Sequence, residues 1–161
     1  MTTKKAIKTA KRRKKSYWVF VNDIVRYLKE HFYLHSWTIR TLQMKAAKPE
    51  SNSEQFSGED VVASMGSDNM YMDATLRLYP LAKKMWKEGS YDSLGRDIVH
   101  EFCHILTDPL YKIAINGVSR REGPNLEHVR ENTTQQMANI AILGIDKSVF
   151  SPYKYTRKEK P

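Results

Sequence analysis

Residues 97–106 read Asp-Ile-Val-His-Glu-Phe-Cys-His-Ile-Leu and contain the run His100-Glu101-Phe102-Cys103-His104. Two histidines four apart on a helix differ by about 40° in direction and about 6 Å in rise, so both imidazoles leave the same face. That is the geometry required of two ligands to one tetrahedral Zn²⁺. Glu101 stands beside the first histidine, where a carboxylate can reach a metal-activated water rather than the metal. Ile98, Val99, Phe102, Cys103, Ile105 and Leu106 surround the motif. This apolar setting predicts a helix buried on most of its girth, because a surface helix would carry charges at some of these places.

Upstream of this helix the periodicity changes twice. Residues 17–34 have apolar side chains near helical spacing, with Asp23, Arg26, Lys29 and Glu30 between them, and predict a helix. His31 and His35 at its end read as exposed or core-edge residues rather than ligands. Trp37–Met44 is rich in β-branched and aromatic residues and predicts a strand. Residues 45–58 are polar and aperiodic and predict a loop. Asp60–Met65 and Met70–Leu78 then predict two strands joined by a turn at Gly66-Ser67-Asp68-Asn69. In the second of these, Met72, Ala74, Leu76 and Leu78 alternate with Tyr71, Asp73, Thr75 and Arg77, which is the clearest strand pattern in the chain.

Downstream, Leu81–Glu88 predicts a short helix, and Ser93 is the expected cap of the His100–His104 helix. Asp108-Pro109 is expected to interrupt that helix, with Asp108 capping a further stretch that ends at Asn116-Gly117. A polar linker over residues 119–124 leads to a last helix from about Asn125 to Leu143, stopped by Gly144. The resulting order is helix, three strands, metal helix, last helix. It predicts an α+β domain over residues 17–145 with a three-stranded, mainly antiparallel sheet.

Length and composition agree with one domain: 161 residues, 40% hydrophobic and 28% charged. No run approaches the roughly 20 apolar residues of a membrane span, and no secretory signal is visible. The single cysteine, Cys103, excludes an internal disulfide and a four-cysteine zinc ribbon, and reads as a small buried hydrophobe. These features together lead to the expectation of a cytoplasmic protein. Eight of the nine net positive charges fall in residues 1–16, from Lys4 to Lys15, which leaves the rest of the chain at only +1. Residues 1–16 therefore read as a disordered basic arm, either solubilising or in weak contact with a polyanion, and residues 146–161 as a polar tail.

A catalytic zinc takes three protein ligands and leaves a position for water. A ligand six residues after His104 fails, because Leu110 stands there without a preceding glycine turn. Asp108 continues the four-residue series but lies about 80° round and about 12 Å along from His100, too far on a straight helix. The remaining source is the last helix, where Glu127 and Glu131 stand one turn apart with His128 between them. The helical wheel, centred on Leu126, Val129, Met137 and Ile140, places Glu127 slightly nearer the apolar face and leaves the choice open.

At this point the chain resembles a family. Gluzincin-type metallopeptidases of the bacterial and phage-borne ImmA/IrrE kind combine a His-Glu-x-x-His helix with a glutamate that opens a Glu-x-x-x-Asn-x-Phe-Ala pattern on the next helix. Glu131-Asn-Thr-Thr-Gln135-Gln-Met137-Ala138 is similar to that pattern, with Gln for Asn and Met for Phe. Leu78-Tyr79-Pro80 is similar to the Leu-x-Pro turn before the zinc helix. The resemblance covers residues 17–143. Asp97 and the missing apolar-Met-Pro close after the last helix depart from it. It implies a minimal zincin-like fold, Zn²⁺ held by His100, His104 and Glu131, Glu101 as the general base, and a peptide or protein substrate. His128 as the third ligand would instead match SprT-like peptidases, whose Cys-rich ribbon is absent here. Glu127 stays an alternative ligand, and His128 and Tyr111 are candidate oxyanion donors. Met70–Leu78 is the expected edge strand for aligning substrate. The competing expectation is a nucleic-acid-associated or regulatory protein whose zinc site is structural or inactive.

Overall fold

The structure is a computed structural model and describes residues 13–46, 61–117 and 123–153. Most of the basic arm, most of the expected loop over 45–58, the linker core and the end of the polar tail lie outside these residues.

Helix α1 (Tyr17–His31) starts at Ser16, whose hydroxyl accepts from the Val19 N–H. Its buried residues, Tyr17, Phe20, Val21, Ile24 and Leu28, recur at three- and four-residue steps and form one stripe. Strands β1 (Thr38–Gln43), β2 (Ala63–Asp68) and β3 (Asp73–Leu78) follow. In β3, Ala74, Leu76 and Leu78 are buried and their neighbours are half-buried, as the alternation predicts. Helix α2 (Pro80–Glu88) begins on Pro80 and is stopped by Gly89, which takes a left-handed φ of 89°.

The protein is α+β, but its sheet is mixed and not mainly antiparallel. The strand order is β1-β3-β2, with β1 parallel and β2 antiparallel to β3. Expecting antiparallel pairing assumed that neighbours in sequence are neighbours in space. Here the long connection from Gln43 to Ala63 carries the chain past one strand position, and β3 fills the gap. β3 is therefore the central strand, and β1 and β2, rather than Met70–Leu78, are the edge strands among the described residues.

The β2–β3 turn is also displaced from its expected place. Gly66, Ser67 and Asp68 continue the strand, and the reversal occupies residues 69–72. Asp68 directs it from the first position, its carboxylate accepting from the Met70 and Tyr71 N–H groups at 3.0 and 3.4 Å.

Helix α3 (Tyr91–Asn116) begins after Ser90, so Ser93 is inside the helix and does not cap it. It runs unbroken through Asp108-Pro109. Proline removes one backbone donor and disfavours a straight helix, but the segment beyond it is retained by α4 (Gly123–Gly144), which runs back along α3. Cross-helix pairs hold the two together on both sides of the proline: Thr107 with Thr134 at 2.8 Å before it, and the Tyr111 ring against Arg130 at 4.9 Å beyond it.

The core gathers around the first half of α3. Leu94, Ile98, Val99, Phe102 and Cys103 have no exposed surface and pack with Phe20, Ile24, Leu76 and Leu78. The end of the described chain closes this core. Lys147–Phe150 forms a 3-10 turn whose Phe150 lies over Gly95. Residues 13–16 are part of the same assembly. The Lys15 N–H donates to Pro152, its ammonium meets Asp23 at 3.0 Å, and the Lys14 ammonium sits 4.6 Å from the Trp86 ring centre. No helix among the described residues is long and apolar enough to cross a membrane.

Candidate metal centre

The predicted pair of histidines leaves α3 on the face turned toward α4. Their rings stand 5.0 Å apart and nearly perpendicular. Glu131 comes from α4 to meet them, and its Oε2 lies 3.5 Å from both His100 Nε2 and His104 Nε2. One ligand atom from each of the three residues lies within 4.8 Å of the others, and this group can hold a metal ion.

The surroundings fix each donor. His104 is buried, and its Nδ1 faces Asp108 Oδ1 at 3.3 Å and Thr134 Oγ1 at 3.5 Å. A carboxylate only accepts, so Nδ1 carries a proton, and Nε2, turned to Glu131, is the nitrogen that would bind a metal on losing its own proton. Thr134 is oriented in turn by donating to the Arg130 carbonyl and pairing with Thr107. Burial pulls the His104 pKa down, but hydrogen bonds to Asp108 and Glu131 and the charges of Glu101 and Glu131 outweigh it and raise the ring to about 9. Burial of Glu131 is likewise overcome, by His100, His104 and Arg130, and its pKa falls far below the usual carboxylate range. Arg130 holds the outer oxygen, Oε1, at 2.5 Å and braces against Glu127 at 2.9 Å. Glu131 is thus turned with one oxygen committed to a guanidinium and the other to the imidazoles. His100 Nδ1 is buried without a hydrogen-bond partner among the described residues.

Glu101 points from α3 toward the sheet and is half-buried. Burial raises its pKa against the lowering effects of His104, His100 and a hydrogen bond from the Met65 N–H. Tyr79 donates to the Val62 carbonyl, so Ser64, Gly66 and Asp68 bond inward to β3, and the backbone of Ala63, Met65 and Ser67 faces outward. Glu101 therefore sits against the β2 edge of the sheet, where Lys112 also donates to the Ser67 carbonyl at 3.1 Å. Beside it opens a cleft of about 620 Å³ between α3, α4 and the start of β2, lined in part by His100, Glu101, Asp97, Gln135 and Asn139.

The other candidates fall outside the group. Glu127 is exposed and serves Arg130. His128 is exposed and accepts from Asn132 at 3.1 Å. The Tyr111 hydroxyl is hydrogen-bonded to Glu127, which pushes its pKa up, and the Tyr111 ring stacks under Arg130 at 4.9 Å. Cys103 is fully buried, and burial raises its thiol to about 11.

Sequence reasoning missed three supporting residues. Asp108, expected as a cap, is the partner of His104; its spacing of four from His104 was the available signal. Thr134 and Arg130 had no motif behind them. The wheel of the last helix was also misaimed. Val129 and Ile140 are 56% and 70% exposed, whereas Thr134 and Ala138 are fully buried. No family model, curated protein or solved structure matches the chain.

Proposed function

We propose that the protein is a zinc-dependent peptidase of zincin-like design. The observation that carries this reading is the convergence of His100, His104 and Glu131 with Glu101 standing beside them but outside the group. In a tetrahedral site with bonds of about 2.0–2.1 Å, neighbouring ligand atoms are about 3.3–3.4 Å apart. The two 3.5 Å separations between Glu131 and the imidazoles already approach that edge length. Two imidazole nitrogens, with the His104 Nε2 proton given up on binding, and one carboxylate oxygen are also a donor set suited to zinc.

Zinc at this place supplies Lewis acidity, bringing the pKa of water down to about 7 and polarising an amide carbonyl. The residues supply the rest. Asp108 and Thr134 orient the His104 ring. Arg130 holds Glu131 to one oxygen. Glu101 accepts the proton of the attacking water and returns it to the leaving nitrogen, so that the amine departs neutral. A hydrogen bond from the Met65 N–H ties that carboxylate to the edge of β2. On the outward side of β2 the Met65 N–H serves Glu101 and the Ser67 carbonyl accepts from Lys112 at 3.1 Å, so an extended peptide pairs with the backbone at Ala63 and the Met65 carbonyl, alongside the cleft.

The test is direct. Purified protein loaded with one equivalent of zinc should hydrolyse an unfolded protein or a mixed peptide library, with new amino termini detected by mass spectrometry. The Glu101→Gln protein should keep its zinc and lose the activity. Retained hydrolysis in that variant would overturn the assignment of the base, and no hydrolysis by the zinc-loaded parent would overturn the peptidase reading.

A further inference from the structure

The cleft beside the metal group has an uneven lining. Val61, Val62, Ala63 and Ile142 contribute apolar surface, and Ser93, Arg96, Asp97, Gln135 and Asn139 contribute polar surface. Two of the polar groups are already engaged. Arg96 Nε is tied to Asp92 on the exposed face of α3 at 2.8 Å. Gln135 Nε2 donates to Asn139 Oδ1 at 3.1 Å, and the Gln135 carbonyl oxygen has no donor among the described residues. The Asp97 carboxylate is different. Among the described residues no cation lies within 4 Å of it, although Arg96 is its neighbour in sequence. It is half-buried, and burial raises its pKa against the lowering effect of His100. Glu101 adds a second carboxylate to the same wall.

We propose that this cleft selects a lysine or arginine side chain of the bound peptide, with Asp97 receiving the cationic head. The inference rests on the peptidase reading and adds its substrate class. A basic side chain has the required two-part character. Its methylene stem lies along Val62 and Ile142, while its head reaches Asp97 and the Gln135 oxygen. An apolar side chain of the same length would cover the Asp97 charge and leave it without a partner. An acidic side chain would meet the repulsion of the Asp97 and Glu101 carboxylates, while Arg96 of the described lining has its Nε on Asp92.

The experiment uses the zinc-loaded Glu101→Gln protein and fluorescein-labelled alanine pentapeptides that differ at one position: lysine, arginine, norleucine or glutamate. Binding is read by fluorescence anisotropy, with the variable residue scanned along the peptide. At one position lysine and arginine should bind about tenfold tighter than norleucine, as a charge-assisted hydrogen bond at a half-buried site provides. Adding Asp97→Asn should bring lysine and norleucine to within about twofold of each other, because the amide can accept but carries no charge. Equal affinities for lysine and norleucine at every position would overturn the proposal, as would a lysine preference that survives Asp97→Asn. The comparison among peptides in the Asp97-bearing protein needs only the Glu101→Gln variant to fold. Hydrolysis of the same peptides by the Glu101-bearing protein separates the two readings. Cleavage without basic preference refutes the inference alone, whereas Asp97-dependent lysine binding without cleavage upholds the cleft and refutes the peptidase.

Discussion

Asp108 offers the sharpest test of how the metal group is built. Its carboxylate lies 3.3 Å from His104 Nδ1, on the side of the ring away from Glu131. Two substitutions separate its contributions. Asp108→Asn keeps an acceptor for the Nδ1 proton and removes the charge. Asp108→Leu removes both and leaves a buried ring nitrogen with Thr134 at 3.5 Å as its remaining partner. Supporting partners of metal-ligating histidines are worth about 10–100-fold in affinity. The asparagine should therefore fall near the lower end and the leucine near the upper. At free zinc of about 1,000 times Kd, binding stabilises the fold by about 4.1 kcal/mol, and a 100-fold weaker site at the same concentration supplies about 1.4 kcal/mol. A loss of about 2.7 kcal/mol in a chain of this size lowers Tm by roughly 5–11 °C. Competition against a chromophoric zinc chelator measures the affinity, and calorimetry with and without zinc measures the stability difference. Zinc affinities of both variants within about twofold of the parent, against the range expected for such partners, would refute the role of Asp108 in orienting His104. Asp108 would then be a partner of Arg130 only.

Four further outcomes follow from the same geometry. Glu131→Gln should release zinc on dialysis that the parent retains, with affinity down more than about 100-fold because the anionic donor is lost; unchanged stoichiometry by atomic absorption would show that the third ligand comes from elsewhere. Glu101→Gln should leave zinc content intact and reduce turnover by about 10²–10⁴-fold, the usual worth of a general base. In the metal-free protein His104 stands at about 9 against an ordinary 6.5, so its stabilisation is complete below pH 6.5 and is lost as pH rises through 9; urea titrations should show on the order of 3 kcal/mol lost across that window, and a flat profile would contradict the buried imidazolium network. Gly95→Ala places a methyl group against the Phe150 ring, with Cε1 at 2.7 Å, and should destabilise the fold by about 1–3 kcal/mol in chemical denaturation, as overpacking does; an unchanged midpoint would mean that the 3-10 turn yields freely.

The fold was legible wherever a local period decides it. Helix α1 announces itself by its stripe, β3 by alternation, and α2 by Pro80 and Gly89. The errors came where distant packing overrides local preference. Nothing within β1 or β2 says that β3 will lie between them, because strand order is set by how a long connection returns. Pro109 signals a helix end, yet α4 holds the helix on both sides of it. The metal group was half legible. The four-residue spacing of His100 and His104 is a helix property and survives folding unchanged. Glu131 was reached through a family resemblance, because the wheel assumed that the inward face of α4 is its most apolar face. It is instead the face of Arg130, Glu131 and Thr134, small or polar where it meets the imidazoles.

That polar inner face bears on whether the metal group works as a staple or a reaction centre. A structural zinc site is commonly closed by four protein donors, with cysteine the preferred ligand. The only cysteine here lies within the motif yet is fully buried in the apolar core with its thiol raised to about 11, and the described residues that converge number three. The remaining side of the group faces Glu101 and the cleft. A fourth ligand from Glu101 would require its carboxylate to leave the Met65 N–H, whereas a base needs to stay where that hydrogen bond holds it, beside the metal group and open to the cleft. The arrangement stores its charge in pairs, Asp108 with His104 and Arg130 with Glu131, and among the described residues no cation lies within 4 Å of the Glu101 or Asp97 carboxylate. In a purely structural site, two half-buried carboxylates on a cleft wall would be a cost with no return. In a peptidase, one carboxylate moves a proton and the other meets the substrate.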